Sequence, residues 1–193
     1  NNTITTAEGA DTFTGGTGDE TITSGSGIDT FNFATANFTS GDTINGGSGV
    51  DIISLTDDAT VIDSDFTNVT NVETLTAASN INLIATIGAS ALAAGIVTVE
   101  TTDTGAADNI TVGAGYTGTF GAEVTANASG GTINGTNQAD QFTLGAGVDV
   151  IQITDSTADS ISSFTLGTDQ LDIDLSQMET AGGVGVDSAT IDL

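Results

Sequence analysis

Large apolar residues stand singly between polar neighbours along this chain. Thr3-Ile4-Thr5, Thr12-Phe13-Thr14 and Thr21-Ile22-Thr23 each set one apolar side chain between two threonines, and the runs recur every nine residues. Alternation with a period of two predicts short β-strands, the apolar residue facing a core and its β-branched neighbours facing out. Gly, Asp and Asn fill the gaps, which predicts tight turns at a fixed phase. Residues 55–134 alternate Thr, Val, Ile and Asn in strand-like runs such as NITV at 109–112 and GIVTVE at 95–100. Further β-solenoid and a β-sandwich-like insert both fit that stretch. Only GASALAAG at 88–95 reads as helix, with room for at most two turns.

The phase can be followed residue by residue. Residues 6–14 read TAEGADTFT, 15–23 GGTGDETIT and 24–32 SGSGIDTFN, three contiguous nonapeptides that end in an acid, any residue, a large apolar residue and one more. The pairs are Asp11 with Phe13, Glu20 with Ile22 and Asp29 with Phe31. After a four-residue insertion, Phe33 to Ala36, NFTSGDTIN at 37–45 and GGSGVDIIS at 46–54 add Asp42 with Ile44 and Asp51 with Ile53. A second block supplies Asp140 with Phe142 and Asp149 with Ile151, then Asp159 with Ile161 and Asp169 with Leu171 at stretched intervals; Asp108 with Ile110 is a solitary copy between the blocks. The two blocks parallel one another, as an internal duplication would leave them. They divide the chain into an N-terminal repeat block, 1–54, an intervening β-rich segment, 55–134, and a C-terminal repeat block, 135–193.

These nonapeptides resemble the calcium-binding repeats of the RTX (repeats-in-toxin) family, G-G-x-G-x-D-x-U-x with U large and apolar. GGSGVDIIS at 46–54 matches every specified position, and Asp159 to Ser176 looks like the segment that commonly closes such blocks. The resemblance implies an all-β fold, a parallel β-roll or β-solenoid with Ca²⁺ in the Gly-Asp turns. Two nonapeptides would then form one coil of a flattened roll, with Asp11 and Asp29 in one column. The candidate metal residues are Asp11, Asp19, Glu20, Asp29, Asp42, Asp51, Asp108, Asp140, Asp149, Asp159 and Asp169. Departures from the pattern weaken some positions: Glu20 replaces Asp, with Asp19 beside it, the first nonapeptide lacks its leading glycines, and Gln138 stands at a glycine position. DFTNVTNVETLT at 65–76 looks like segments of large bacterial surface-layer proteins.

Composition sharpens this picture. Among 193 residues there are 26 Asp plus Glu and no Lys, Arg, His, Cys or Pro, a formal charge of −26. Compensating cations must therefore come from solution. Two carboxylates about 5 Å apart repel by roughly 1 kcal/mol in water and by several at a protein-like dielectric. Hard oxygen donors without His or Cys suit Ca²⁺ over zinc or softer metals. Nucleic acid is excluded as a partner because phosphate binding rests on Lys and Arg. Acyl transfer, Schiff-base chemistry and phosphoryl clamping have no candidate residues, and the aspartates are occupied in turns, so no enzyme is expected. The long uncharged run from Thr74 to Val99 is broken by Asn80, Asn82, Thr86 and Ser90, and no membrane insertion is expected.

The expected function is a secreted, extracellular bacterial structural protein, stabilised by calcium and assembling with copies of itself into a surface layer, filament or matrix fibre. A cell-surface polysaccharide is a further candidate partner. Thr3 to Thr5 and Ala189 to Leu193 are strand-like termini without Pro or Lys to block pairing. The alternative is a calcium-binding module of a larger type I secreted enzyme or adhesin. A start at Asn1 rather than Met is expected of a processed form or an excised segment.

Overall fold

A computed structural model describes residues 2–78, 81–101, 108–113, 115–116, 123–125, 130–134, 140–153 and 159–173. Eighteen short strands form in chain order: β1 (Thr3–Thr5), β2 (Thr12–Thr14), β3 (Thr21–Thr23), β4 (Thr30–Phe33), β5 (Thr43–Asn45), β6 (Ile52–Leu55), β7 (Ala59–Val61), β8 (Val69–Thr70), β9 (Thr74–Ala77), β10 (Leu83–Ile87), β11 (Thr98–Thr101), β12 (Asp108–Val112), β13 (Glu123–Thr125), β14 (Gly131–Asn134), β15 (Gln141–Thr143), β16 (Val150–Ile153), β17 (Ser160–Ser162) and β18 (Gln170–Ile173). Among the described residues one α-helix, α1 (Ala89–Ala94), follows β10, where the sequence predicts it. Every strand pairing among the described residues is parallel, and the strands stack into a β-solenoid.

The long sheet has eight strands in the order β17-β15-β13-β11-β9-β6-β4-β2 and runs unbroken through both repeat blocks. Opposite it, β1-β3-β5-β8 form one sheet in the N-terminal part, and β18-β16-β14-β12-β10-β7 form another towards the C-terminal part. The flattened two-sided coil expected from the repeats holds where coils carry two strands. In the middle, β5-β6-β7 and β8-β9-β10 give coils of three. The cause is local: after β6 the chain alternates Ala59, Thr60 and Val61 as buried, exposed and buried, so it makes a further strand where a repeat would turn. Helix α1 then takes the place of a next strand beside β8. The solenoid continues through the middle, and no β-sandwich insert forms among the described residues.

Register explains the core. Phe13 pairs with Phe31 and Phe31 with Ile53, which pairs with Leu75, so identical phase in the sequence becomes one apolar column in space. The Phe13 and Phe31 rings stack at 5.2 Å. On the opposite side Ile4, Ile22, Ile44 and Val69 form the matching column. A fully buried side chain of this size contributes roughly 1.5 to 3 kcal/mol. The flanking Thr and Asn side chains face out, leaving the solenoid walls polar. The core takes a single apolar residue from β2 and β3, two from β4, β6 and β7 and three from β10, and every coil depends on its neighbours.

Candidate metal-binding turns

Three Gly-rich turns stack at one edge of the N-terminal block: residues 6–11, 24–29 and 46–51. Parallel bridges join Glu8 to Ser26 and Ser26 to Ser48. Between them Gly9 N–H donates to the Ser26 carbonyl at 2.8 Å and Gly27 N–H to the Ser48 carbonyl at 2.9 Å. Gly27 and Gly49 have φ of +136° and +150°, and a Cβ on either would run into the carbonyl oxygen of Gly9 or Gly27 in the turn before. Glycine is required there for both its backbone angles and the close approach of successive turns.

The acids that close these turns form a ladder. Asp11 N–H donates to Asp29 Oδ1 at 2.8 Å, Asp29 N–H to Asp51 Oδ1 at 2.8 Å, and Asp51 N–H to Glu73 Oε2 at 2.8 Å. Each carboxylate thus reaches back to the coil before it. The other turns repeat the device. Glu20 N–H donates to Asp42 Oδ1 at 2.9 Å, and Thr39 N–H donates to Asp42 Oδ2 at 2.9 Å. In the C-terminal block Asp140 N–H donates to Asp159 Oδ1 at 3.0 Å and Asp149 N–H to Asp169 Oδ1 at 3.1 Å. Asp108 Oδ1 accepts from Leu83 N–H at 2.7 Å. Asp19 lies exposed, its carboxylate against Gly41 of the adjoining coil.

Burial makes these acids unusual. Asp29, Asp42, Asp51 and Asp149 are 0% exposed, and Glu20, Asp108, Asp140 and Asp169 are also buried. One oxygen of several carboxylates has no hydrogen-bond partner: Glu20 Oε2, Asp29 Oδ2, Asp51 Oδ2 and Asp149 Oδ1. A buried charge left in that state costs several kcal/mol unless something compensates it. Burial pushes the Asp51 carboxyl above its ordinary value; the Asp29 N–H offsets part of the rise, and the charges of Asp29 and Glu73 add to it. Burial raises Asp149 too, helped by the charge of Asp169 and opposed by the Gly145 N–H. Coils stack about 4.8 Å apart, where two unit charges repel by about 3 to 4 kcal/mol at an effective dielectric of about 20.

The donor set fits a hard cation. Orphaned carboxylate oxygens sit beside Gly-rich turns whose backbone carbonyls are brought close, and the sequence holds no Lys, Arg or His to serve in place of a metal. Among the described residues no group of three or more His, Cys, Asp or Glu side chains converges. A site here would therefore combine one or two carboxylates with turn carbonyls, as the six-to-eight-oxygen shell of Ca²⁺ allows. Of the candidates from the sequence, the structure brings Asp11, Asp29 and Asp51 into one ladder, Glu20 and Asp42 into a second, Asp140 with Asp159 into a third, and Asp149 with Asp169 into a fourth. Asp108 lies against the Gly130-Gly131 backbone, its N–H donating to the Gly130 carbonyl at 3.2 Å. Glu73 is a ladder member that the repeat reading passes over, although Glu73-Thr74-Leu75 carries the same acid, any residue, large apolar signature.

The description "RTX calcium-binding nonapeptide repeat (4 copies)" matches residues 1–31, 39–62 and 126–152. Those stretches contain the stacked turns of the N-terminal block and the Asp149 turn. No curated protein and no solved structure matches the chain. Among the described residues no helix is long and apolar enough to cross a membrane. RTX repeats are calcium-binding units of secreted bacterial proteins, and over these three stretches the chain carries RTX calcium-binding nonapeptide repeats.

Proposed function

We propose that this chain is a calcium-stabilised structural unit of a secreted protein, which assembles with copies of itself into a surface layer, filament or matrix fibre. Calcium binds between stacked turns, at Asp11, Asp29 and Asp51 on one edge, at Glu20 and Asp42 on the other, and at Asp149 and Asp169 in the C-terminal block. The buried, unpartnered oxygens of Asp29, Asp51 and Asp149 carry the calcium assignment. When bound, the ion supplies the positive charge that the chain lacks. The residues themselves orient the site: the Asp11 and Asp29 N–H groups hold one oxygen of Asp29 and Asp51 and leave the other for the metal, whereas Asp42 has both oxygens held, by the Glu20 and Thr39 N–H groups.

Assembly is supported by the strand edges. β1 and β2 end their sheets, and β1 exposes Thr3 and Thr5 with no Lys or Pro to deter pairing. The family match favours a second reading, a calcium-binding module within a longer secreted enzyme or adhesin, in which the same edges receive further coils of one chain. Light scattering of the full chain in EDTA and in millimolar Ca²⁺ separates the two. Particles of high mass that form with calcium and dissolve in chelator support the structural unit; a compact calcium-bound monomer supports the module. No binding of calcium at all would sink both.

A further inference from the structure

The carboxylate ladder of the long sheet breaks off at Glu73 and, among the described residues, resumes only at Asp140 with Asp159. After Glu73 the backbone column continues, because Val97 N–H donates to the Glu73 carbonyl at 2.9 Å, but the side chain at that position is now an exposed valine. Four acids of the middle coils are held by backbone N–H groups of the protein instead. Asp63 accepts from three backbone N–H groups at the start of α1, those of Gly88 at 2.8 Å, Ser90 at 3.1 Å and Ala91 at 2.9 Å. Asp65 takes the Ile62 N–H at 3.0 Å, Glu73 takes that of Asp51 and Asp108 that of Leu83. The Tyr116 hydroxyl, fully buried, donates to the Ile96 carbonyl at 2.6 Å.

The acids left with a buried unpartnered oxygen lie outside this stretch, at Glu20, Asp29, Asp51 and Asp149; within it the group in that state among the described residues is the neutral amide oxygen of Asn82. The apolar core is dense here, with Phe66, Val72, Leu75, Leu83, Ile87, Ile96 and Val99 all buried. From Ala59 to Tyr116 the chain has about sixty residues, a length at which many domains fold alone.

We propose that the solenoid has two kinds of coil: a central segment, β7 to β12 with α1 and Tyr116, that folds without metal, and Gly-Asp repeat coils on either side that order only when calcium binds. The central segment then gives each repeat block a finished coil to stack on, so calcium completes a fold already begun. This rests on the calcium assignment above.

Hydrogen exchange read by mass spectrometry on the full chain, in EDTA and in millimolar Ca²⁺, tests it. Peptides from 59–101 should be protected in both conditions, whereas those from 3–54 and 140–173 should gain on the order of tenfold or more protection only with calcium. Loss of all protection in EDTA, regained together with calcium, would overturn the division while leaving the calcium assignment standing. Uniform protection in EDTA would overturn it too, and calorimetric titration of the same sample would show whether calcium binds. A second arm uses Asp63→Asn and Tyr116→Phe. Each should reduce the EDTA protection of 59–101 and leave the number of calcium ions bound unchanged; variants that lower calcium stoichiometry without touching that protection count against the proposal.

Discussion

The Asp51 N–H donates to Glu73 Oε2 at 2.8 Å, which places a glutamate at the ladder position that Asp29 and Asp51 occupy in earlier coils. The link spans the change from Gly-rich turns to the short turn between β8 and β9, where Asn71 takes φ of +54° in place of a glycine. The hydrogen-bonding role of the acid thus outlasts the glycines that surround it earlier. The separate fates of these two functions, ladder and metal turn, lead to several expectations.

Asp51→Asn should have opposite effects with and without calcium. The amide oxygen can still accept the Asp29 N–H, but a buried charge is gone, so the metal-free protein should gain about 1 to 3 kcal/mol. With calcium, one carboxylate ligand is lost and affinity should fall on the order of tenfold or more. Thermal melts and calcium titrations of the variant read both signs; a stability loss in EDTA would contradict the orphaned-oxygen argument.

Gly27→Ala and Gly9→Ala isolate close packing from backbone preference. Both positions have positive φ, but a Cβ at Gly27 meets the Gly9 carbonyl whereas one at Gly9 meets nothing within 4 Å. Gly9→Ala should cost roughly 1 kcal/mol from the backbone alone, and Gly27→Ala about 2 to 4 kcal/mol. Denaturant melts in calcium should rank them in that order, and equal losses would mean that the turns do not stack so closely.

Acid should act in opposite directions on different parts of the chain. Asp51 and Asp149 bind their protons more tightly when folded. In chelator, the repeat coils therefore gain stability as pH falls through the raised values, and hold that gain below the unfolded value of about 4. With calcium present the same protons compete with the ion, so affinity falls over that window. Burial also acts to raise Asp63, but the N–H groups of Ala91, Ser90 and Gly88 outweigh it and hold it below its ordinary value. Its contribution is present above the unfolded value and lost as pH falls through the depressed one. Chelator melts from about pH 7 to about pH 4 that show no gain at the repeats would remove the basis for the buried-charge account.

Phe31→Ala should cost about 3 to 5 kcal/mol whether or not calcium is present. The ring is fully buried and stacked on Phe13, and its loss opens a cavity that no ion can fill. If saturating calcium restored the wild-type melting temperature, the repeat coils would be held by metal alone.

Much of the N-terminal block can be read from the sequence because Gly and Asp fix the phase of every strand. The separation of Asp11 from Asp29 is 18 residues and that of Asp29 from Asp51 is 22, and the difference is the four-residue insertion that begins at Phe33. The structure absorbs it in a 3₁₀ turn, Thr35–Asn37, without disturbing the ladder. The third sheet was less legible. Ala59 and Val61 look like any alternating run, and only their pairing with Leu83 and Ala85 in the next coil makes them a new wall. The role of Asp63 was hidden for a similar reason: its partners lie 25 to 28 residues away, beyond any local pattern. The strand-like run Ala189 to Leu193 and the end of the closing segment, 174–176, lie outside the described residues.

Because every ladder carboxylate takes its N–H from the preceding coil, the stack has a direction. A plane cut between any two ladder coils shows acceptors on one side and donors on the other. Any coil that extends the solenoid, from the same chain or another copy, must match that sense and join head to tail. A head-to-head junction would set carboxylate against carboxylate with no N–H between them. A fibre grown by such stacking would be polar, with two ends that differ in chemistry and therefore in rate of growth.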